Sequence, residues 1–158
     1  MCSSDLVAAS SSQINLTWAD NSNNESGFKI ERSTDGGANY AEIFTTGANA
    51  TSYSNTALSP ATPYTYRVRA YNLSGNSAYS AAASATTLPN APVAPDGLTA
   101  TAASSSQINL SWTDNNSNED GTRIERSIDG LNFSEIATVG ANVTTYSDRK
   151  STRLNSSH

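Results

Sequence analysis

The sequence has almost none of the side chains on which most active sites and metal centres depend. Among 158 residues there is one cysteine, one methionine and one histidine, and these stand at the two ends as Cys2, Met1 and His158. The interior therefore has no residues for a disulfide, a zinc site, a thiolate nucleophile or a histidine general base. We expect no catalytic residues, no metal-binding residues and no cofactor, and hence no enzyme activity within these residues.

The two ends also differ from the rest of the chain. Residues 1–6 read MCSSDL and residues 148–158 read DRKSTRLNSSH. Both strings resemble translations of one sequencing-adapter oligonucleotide, read in opposite orientations. We interpret Met1–Leu6 and Asp148–His158 as adapter-derived scars and exclude them from fold reasoning, in preference to a natural basic tail. Both natural termini are then missing, so a signal peptide, an anchor or a catalytic domain could lie on either side.

Basic charge is scarce as well. Without the two end strings, 12 acidic and 6 basic residues remain, a balance near −6. A mildly acidic chain is a poor partner for a phosphate backbone, so we expect no nucleic-acid binding. We also expect no membrane insertion and a monomer.

An internal repeat organises what is present. Residues 13–36 read QINLTWADNSNNESGFKIERSTDG and residues 107–130 read QINLSWTDNNSNEDGTRIERSIDG, an offset of 94. GANATSYS at 47–54 matches GANVTTYS at 140–147, an offset of 93. This period is close to the size of one β-sandwich.

The local patterns are those of strands and turns. Ile14, Leu16 and Trp18 alternate with polar residues, which is the period of a half-buried strand. Similar alternation occurs at Phe28–Ile30 and over Tyr64–Ala70, and Asp35-Gly36 marks a hairpin turn before a returning strand at 40–45. The alanine-rich run at 81–85 is too short for a helix, and we interpret it as the last strand of the first repeat.

A proline-rich stretch separates the repeats. Residues 88–96 read LPNAPVAPD and hold three of the five prolines. Such a segment is semi-rigid and holds neighbouring domains apart. We assign residues 89–96 as the linker.

The order of these strands resembles the fibronectin type III family. Trp18 on the second strand and the run Leu58-x-Pro60-x-Thr62-x-Tyr64 carry the resemblance. The resemblance implies a seven-stranded antiparallel immunoglobulin-like β-sandwich, with Tyr64 as a corner tyrosine whose hydroxyl bonds to upstream backbone. It also implies a first domain at 7–88 and a truncated second domain at 97–147, which ends before the strand of the corner tyrosine.

The core and the weak points of the two repeats follow from this assignment. We expect residues 97–147 not to fold stably alone, because the strand around Arg123–Arg126 would have an unpaired edge and Trp112 would be poorly covered. The second repeat also has Thr122 where the first has Phe28, so its core is smaller at that point. On the outer face we expect Glu31 beside Arg67 or Arg69, as an exposed pair of ordinary sheet surface. The expected core of the first repeat is Ile14, Leu16, Trp18, Ile30, Leu58, Tyr66 and Val68.

Two acidic and amide-rich loops echo calcium-binding spacing. Positions one, three, five and twelve of such a loop are matched by Asp114, Asn116, Asn118 and Glu125, and by Asp20, Ser22, Asn24 and Glu31. Position six is glutamate instead of glycine in both loops, and strands flank them where helices are required. We therefore favour solvated turns with Asx hydrogen bonds. Weak calcium binding by the Asp20–Glu25 and Asp114–Asp120 loops stays open.

Four aromatic residues are candidates for a sugar-stacking platform. The phase of Trp18 and Trp112 places both in the core, whereas Tyr71 and Tyr79 could face a ligand. The loop Asn72–Ser77 has no Arg-Gly-Asp tripeptide, so attachment to animal cells has no support.

Within the family, WTDNNSNEDG followed by RIERS is similar to repeats of secreted bacterial multidomain proteins. The resemblance implies an extracellular, non-catalytic spacer or adhesion module whose partners are the neighbouring domains of its parent chain. The alternative is an accessory module of a secreted hydrolase that binds polysaccharide or a cell-surface protein.

Overall fold

The structure is a computed structural model that describes residues 4–149. The chain divides between Asn90 and Ala91 into two compact units, here called unit 1 and unit 2. The strands of unit 1 are β1 (Ser4–Ser10), β2 (Gln13–Trp18), β3 (Gly27–Ser33), β4 (Ala41–Thr45), β5 (Ser52–Asn55), β6 (Pro63–Asn72), β7 (Gly75–Asn76) and β8 (Ala83–Thr86). Those of unit 2 are β9 (Asp96–Ser104), β10 (Gln107–Thr113), β11 (Gly121–Arg126), β12 (Ser134–Gly140) and β13 (Thr145–Arg149).

Unit 1 consists of two antiparallel sheets. One sheet has the order β1-β2-β5, and the other has β4-β3-β6 with β7 and β8 on the far edge of β6. On β2 the residues that face inward are buried and those between them are not, as the alternation in the sequence predicts. The immunoglobulin-like sandwich expected from the sequence is therefore confirmed.

The core lies between these two sheets. The expected residues Ile14, Leu16, Trp18, Ile30, Leu58, Tyr66 and Val68 are all buried, and Phe28 and Tyr64 join them. The Trp18 ring packs against Phe28 at a centroid distance of 5.6 Å. Each sheet supplies the cover for the apolar face of the other, which is what makes the sandwich stable.

Tyr64 has the corner role that the resemblance implies. Its side chain is 6% exposed, and its hydroxyl accepts a hydrogen bond of 3.0 Å from the backbone N–H of Ser59. Thr87 closes the same corner, because its hydroxyl accepts from the Thr62 N–H and donates to the Ser59 carbonyl. These bonds fix the chain where it crosses between the sheets.

The alanine-rich run contributes β8, the last strand of unit 1, as the sequence predicts. Residues 77–82, between β7 and β8, lie outside regular pairing, which the sequence analysis did not predict. There two serines replace the backbone ladder. Ser77 donates its N–H to the Ala70 carbonyl and accepts from the Ala70 N–H through its hydroxyl, and Ser80 does the same with Val68.

Unit 2 has two smaller sheets, β13-β10-β9 and β11-β12. Within residues 4–149 β11 pairs with β12 alone, so the unpaired edge expected at Arg123–Arg126 is confirmed. The expectation of a poorly covered Trp112 is wrong, because this side chain is only 8% exposed. Trp112 on β10 and Ile124 on β11 are both buried, one from each sheet.

The ends set aside in the sequence analysis partly belong to the sheets. Ser4–Leu6 extend β1 and pair with Trp18–Leu16, while Asp148 and Arg149 pair with Ile108 and Gln107. The sheets therefore include these five residues, and their assignment as adapter-derived scars stays a prediction. A β-ladder is made by backbone groups, so residues of any origin can extend it. The remaining residues of both strings, 1–3 and 150–158, lie outside the described part of the chain.

Between residues 4 and 149 no helix has both the length and the apolar character needed to cross a bilayer.

Candidate functional site

A group of charged and aromatic side chains lies on the outer face of the β4-β3-β6 sheet in unit 1. The register pairs Glu31 on β3 with Arg67 on β6, and the two-residue period places Arg69 on the same face. Tyr40, just before β4, contacts Arg67, and Tyr79, in the irregular segment, contacts both arginines. We call this group the arginine–tyrosine cluster: Glu31, Tyr40, Arg67, Arg69 and Tyr79.

Glu31 is the centre of the cluster. Arg67 donates from Nε and Nη2 to Oε2 of Glu31, at 2.8 and 2.6 Å. Arg69 Nη2 lies 3.2 Å from Oε1, and the Tyr79 hydroxyl donates to Oε1 at 2.7 Å. The predicted proximity of Glu31 to these arginines is confirmed, but the expected exposure is wrong. Glu31 is 6% exposed, because the side chains of Arg67, Arg69 and Tyr79 cover the carboxylate.

Aromatic rings enclose the Arg67 guanidinium. Its carbon lies 4.0 Å from the ring centroid of Tyr40 and 3.7 Å from that of Tyr79. The Arg69 guanidinium carbon is 4.6 Å from the Tyr79 centroid. Cation–π contacts at these distances stabilise a partly desolvated arginine. Tyr79 is 37% exposed, yet its hydroxyl and its ring are both engaged within the cluster.

The electrostatics of the cluster favour an ionised carboxylate. Burial acts to raise the pKa of Glu31, but the hydrogen bonds from Tyr79 and Arg67 and the two positive charges outweigh it and hold the pKa below its ordinary value. The hydrogen bond to Glu31 raises the pKa of Tyr79 above that of a free phenol. Glutamate therefore stays charged and tyrosine neutral near pH 7, which suits a structural ion pair rather than proton transfer.

A cleft opens beside the cluster at one end of unit 1. It has a volume of about 540 Å³ and lies between the loop 19–26 and the segment 77–80. Phe28, Val68 and Ala70 give it an apolar floor, and Asn21–Asn24 give it an amide-rich rim. A second hollow of about 270 Å³ adjoins it and is lined by Tyr71, Asn72 and residues 74–77. Tyr71 is half-buried, and Lys29 lies 5.6 Å from its ring centroid.

The two candidate calcium loops are turns of the expected kind. Asp20 Oδ1 accepts the Ser22 N–H at 2.9 Å, and Asp114 Oδ1 accepts the Asn116 N–H at 3.0 Å. These Asx hydrogen bonds confirm the interpretation as polar turns. The twelfth-position carboxylate of the first loop, Glu31, is bound to Arg67 instead. Weak calcium binding by either loop stays a prediction.

A glutamate ties each of these loops to a second loop at the same end of its own unit. Glu25 Oε1 accepts the Asn49 N–H at 3.1 Å, and Glu119 Oε1 accepts the Asn142 N–H at 3.1 Å. Both asparagines have positive φ, near 60°. Hydrogen bonds from backbone N–H groups lower the pKa of both glutamates. The repeat has kept this loop-to-loop clamp in both units.

These observations agree with a comparison against protein-family models. The model described as "Fibronectin type III domain" matches residues 4–86. The chain belongs to the fibronectin type III family. No curated protein sequence matches it.

Three solved structures are similar to this chain at low sequence identity. A domain from human fibronectin type III domain containing protein 3 is 22% identical with a TM-score of 0.49, covering 58% of this chain and 86% of that one. A two-domain segment of chicken tenascin is 19% identical with a TM-score of 0.48, covering 94% and 81%. A β-1,2-glucanase from Parabacteroides distasonis is 23% identical with a TM-score of 0.50, covering 55% of this chain but 12% of the glucanase. At such identities the likeness concerns the fold alone.

The sequence did not predict the roles of one residue of the cluster and of two serines beside it in this fibronectin type III domain. It gave no role to Tyr40, Ser77 or Ser80, although Tyr40 stacks on Arg67 and the serines bond to β6. No periodic signal singles out these two serines, because the stretch also contains Ser74 and Ser84.

Proposed function

We propose that this chain is a non-catalytic spacer or adhesion module of a larger extracellular multidomain protein. The observation that carries the proposal is the repeat of one β-sandwich pattern on either side of a strand-free stretch, residues 87–95, that is rich in proline. A proline-rich segment restricts the angles between its neighbours and so sets a distance. Domains of this family are typically non-catalytic modules and are commonly extracellular.

The arginine–tyrosine cluster supports the spacer role. Its carboxylate binds both arginines, so these three charged groups fix β3 to β6. The cluster also joins β3, β6 and the irregular segment 77–82 on one face. A sandwich held together in this way is rigid, so it suits a module that fixes the orientation of neighbouring domains better than one that changes shape to bind a partner.

The spacer role can be tested by a distance measurement. We would place the chain between two fluorescent proteins and compare it with a Gly/Ser linker of equal length. We expect a narrower distance distribution than the linker gives, and broadening when Pro89, Pro92 and Pro95 are all changed to glycine. A distribution as broad as that of the Gly/Ser linker would contradict the proposal.

A second candidate function is an accessory module of a secreted hydrolase that binds polysaccharide. The cleft and the hollow that adjoins it favour it, because the half-buried Tyr71, the partly exposed Tyr79 and the amide rim suit the C–H face and hydroxyls of a sugar. Retention of the protein on insoluble glycans would be measured for wild type and for Tyr71→Ala, Asn24→Ala and Tyr53→Phe, the last a control on another sheet. Loss of retention in the first two variants alone would favour this function over the spacer.

A further inference from the structure

The proline-rich stretch 88–96 is bound to unit 1 at its first residue. Leu88 donates its N–H to the Ser10 carbonyl at 3.1 Å, and its own carbonyl accepts the Ala61 N–H at 3.1 Å. Both backbone groups of Leu88 are therefore used, although the last strand of unit 1 ends at Thr86. Unit 1 thus holds the chain up to the residue before Pro89.

The same stretch is bound to unit 2 at Val93 and Ala94. Asn116, in the loop after β10, accepts the Val93 N–H through Oδ1 at 2.7 Å, and its Nδ2 donates to the Val93 carbonyl. Asn115 Nδ2 donates to the Ala94 carbonyl at 3.4 Å. One side-chain amide thus satisfies both backbone groups of Val93, as a neighbouring strand would. Val93 is 62% exposed, so hydrogen bonds hold it in place and burial does not.

The loop that carries Asn116 is itself fixed. Asp114 Oδ1 accepts the Asn116 N–H at 3.0 Å, which closes the Asx turn. Thr113, just before this turn, pairs with Asp96 at the start of β9, so the loop begins beside the end of the linker. Asn116 therefore bonds to Val93 from a backbone that is already ordered, and little conformational entropy opposes the contact.

Unit 1 has a serine where unit 2 has Asn116. The offset of 94 aligns Ser22 with Asn116, and in each loop an aspartate accepts the backbone N–H of this residue. The side chains differ in what they bind. The Ser22 hydroxyl donates to Asn24 Oδ1 at 3.3 Å within its own loop, whereas the Asn116 amide bonds to Val93 in the linker. The same turn accommodates either residue, so serine is a suitable replacement for removing the contact alone.

We propose that Asn116 is a positioning residue of the linker, which joins Val93 and Ala94 to unit 2 and confines the movable part of the linker to Pro89–Pro92. This inference rests on the spacer role proposed above, because a shorter joint gives a narrower range of distances. Both end residues of this short segment are prolines, whose rings fix φ. The stiffness of the linker then depends on a side chain of unit 2 as well as on its prolines.

The test compares wild type with Asn116→Ser in the full chain, and Ser117→Ala, at an exposed position of the same loop, is the matched control. By solvent-exchange NMR we expect the Val93 amide to exchange about tenfold faster in Asn116→Ser, because a hydrogen bond of ordinary strength is lost. The heteronuclear NOE of Val93 should fall in the same variant. The Trp112 amide, which is bonded within unit 2, should keep its wild-type exchange rate in both variants.

Asn116→Asp is a second variant, of nearly the same shape. Its carboxylate accepts the Val93 N–H as the amide oxygen does, but it has no N–H to donate to the Val93 carbonyl. The exchange rate of the Val93 amide should therefore lie between those of wild type and Asn116→Ser. A rate equal to that of Asn116→Ser would show that the acceptor oxygen does not hold Val93, which contradicts the proposal.

The proposal is also wrong if Val93 exchange is unchanged in Asn116→Ser, if Ser117→Ala accelerates it equally, or if the Trp112 amide accelerates with it. The last result would make Asn116 a stabilising residue of unit 2 and not an anchor of the linker. The fluorescence distance measurement tests the spacer role separately. A broad distance distribution with a slowly exchanging Val93 amide would contradict the spacer role alone, and a narrow distribution with no effect of Asn116→Ser on Val93 would contradict the anchor alone.

Discussion

Arg67 donates two hydrogen bonds, of 2.8 and 2.6 Å, to a single carboxylate oxygen of Glu31. This carboxylate is buried even though it lies on the outer face of a sheet. Breaking a buried pair by removing one partner leaves an uncompensated charge. The Arg67 side chain is 29% exposed, so solvent moderates this cost.

The first prediction concerns this pair. Glu31→Gln should destabilise unit 1 by about 2–3 kcal/mol, because two arginines lose a buried counter-charge. Arg67→Lys should cost less than Arg67→Ala but should not be neutral, because lysine lacks the planar group that stacks between Tyr40 and Tyr79. Urea unfolding measures each value, and Glu42→Gln, at an exposed carboxylate, is the matched control. Equal stability of wild type and Glu31→Gln would contradict the role assigned to the cluster.

The second prediction is the pH dependence that follows from Glu31. Its pKa in the folded chain is lower than in the unfolded chain, so the folded state favours the charged form. The resulting stability is fully present above the unfolded pKa of about 4.3 and is lost as the pH falls through the folded pKa. The free energy of unfolding of wild type should therefore decline more steeply below about pH 4.5 than that of Glu31→Gln. Parallel curves for the two proteins from pH 7 to pH 3 would show that the carboxylate contributes nothing.

The fold was predictable from the sequence where the pattern was local. Ile14, Leu16 and Trp18 alternate with polar residues, which predicts that they face the core. Tyr64 ends the Leu58-x-Pro60-x-Thr62-x-Tyr64 run, which predicts its corner role. The cluster was only half predictable. Register placed Glu31 beside Arg67, but its burial depends on Tyr79, which reaches the site through a segment without strand periodicity. Similarly, the alternation of apolar and polar residues on β10 could not predict that Trp112 is buried in unit 2, because burial depends on which other segments pack against the strand.

The third prediction concerns the two serines that replace the ladder. Ser77→Ala and Ser80→Ala each leave one β6 N–H without its side-chain acceptor, at Ala70 and Val68 respectively. The Ser80 change should cost about 1–2 kcal/mol, and the Ser77 change should cost less, because water can reach the exposed Ala70 N–H. Exchange should quicken at the Ala70 amide in the first variant and at the Val68 amide in the second, as read by NMR. Ser84→Ala, which removes an exposed hydroxyl contact with Thr65, is the control and should change neither amide.

The fourth prediction uses a glycine that both repeats contain at the start of the third strand. A Cβ built on Gly27 would lie 1.9 Å from the Thr46 carbonyl oxygen, and one on Gly121 would lie 2.2 Å from that of Val139. Neither contact can be relieved without moving backbone, because each oxygen belongs to the neighbouring chain segment.

Gly27→Ala should therefore separate the start of β3 from Thr46 and cost unit 1 about 2–4 kcal/mol, read as a lower urea midpoint. Gly36→Ala is the matched control for the loss of a glycine at positive φ without a clash, because an added Cβ there meets nothing within 4 Å. It should cost only about 1 kcal/mol. If Gly27→Ala were as mild as Gly36→Ala, the close approach of β3 to Thr46 would not be a constraint on the fold, and the glycine would owe its place to conformational freedom alone.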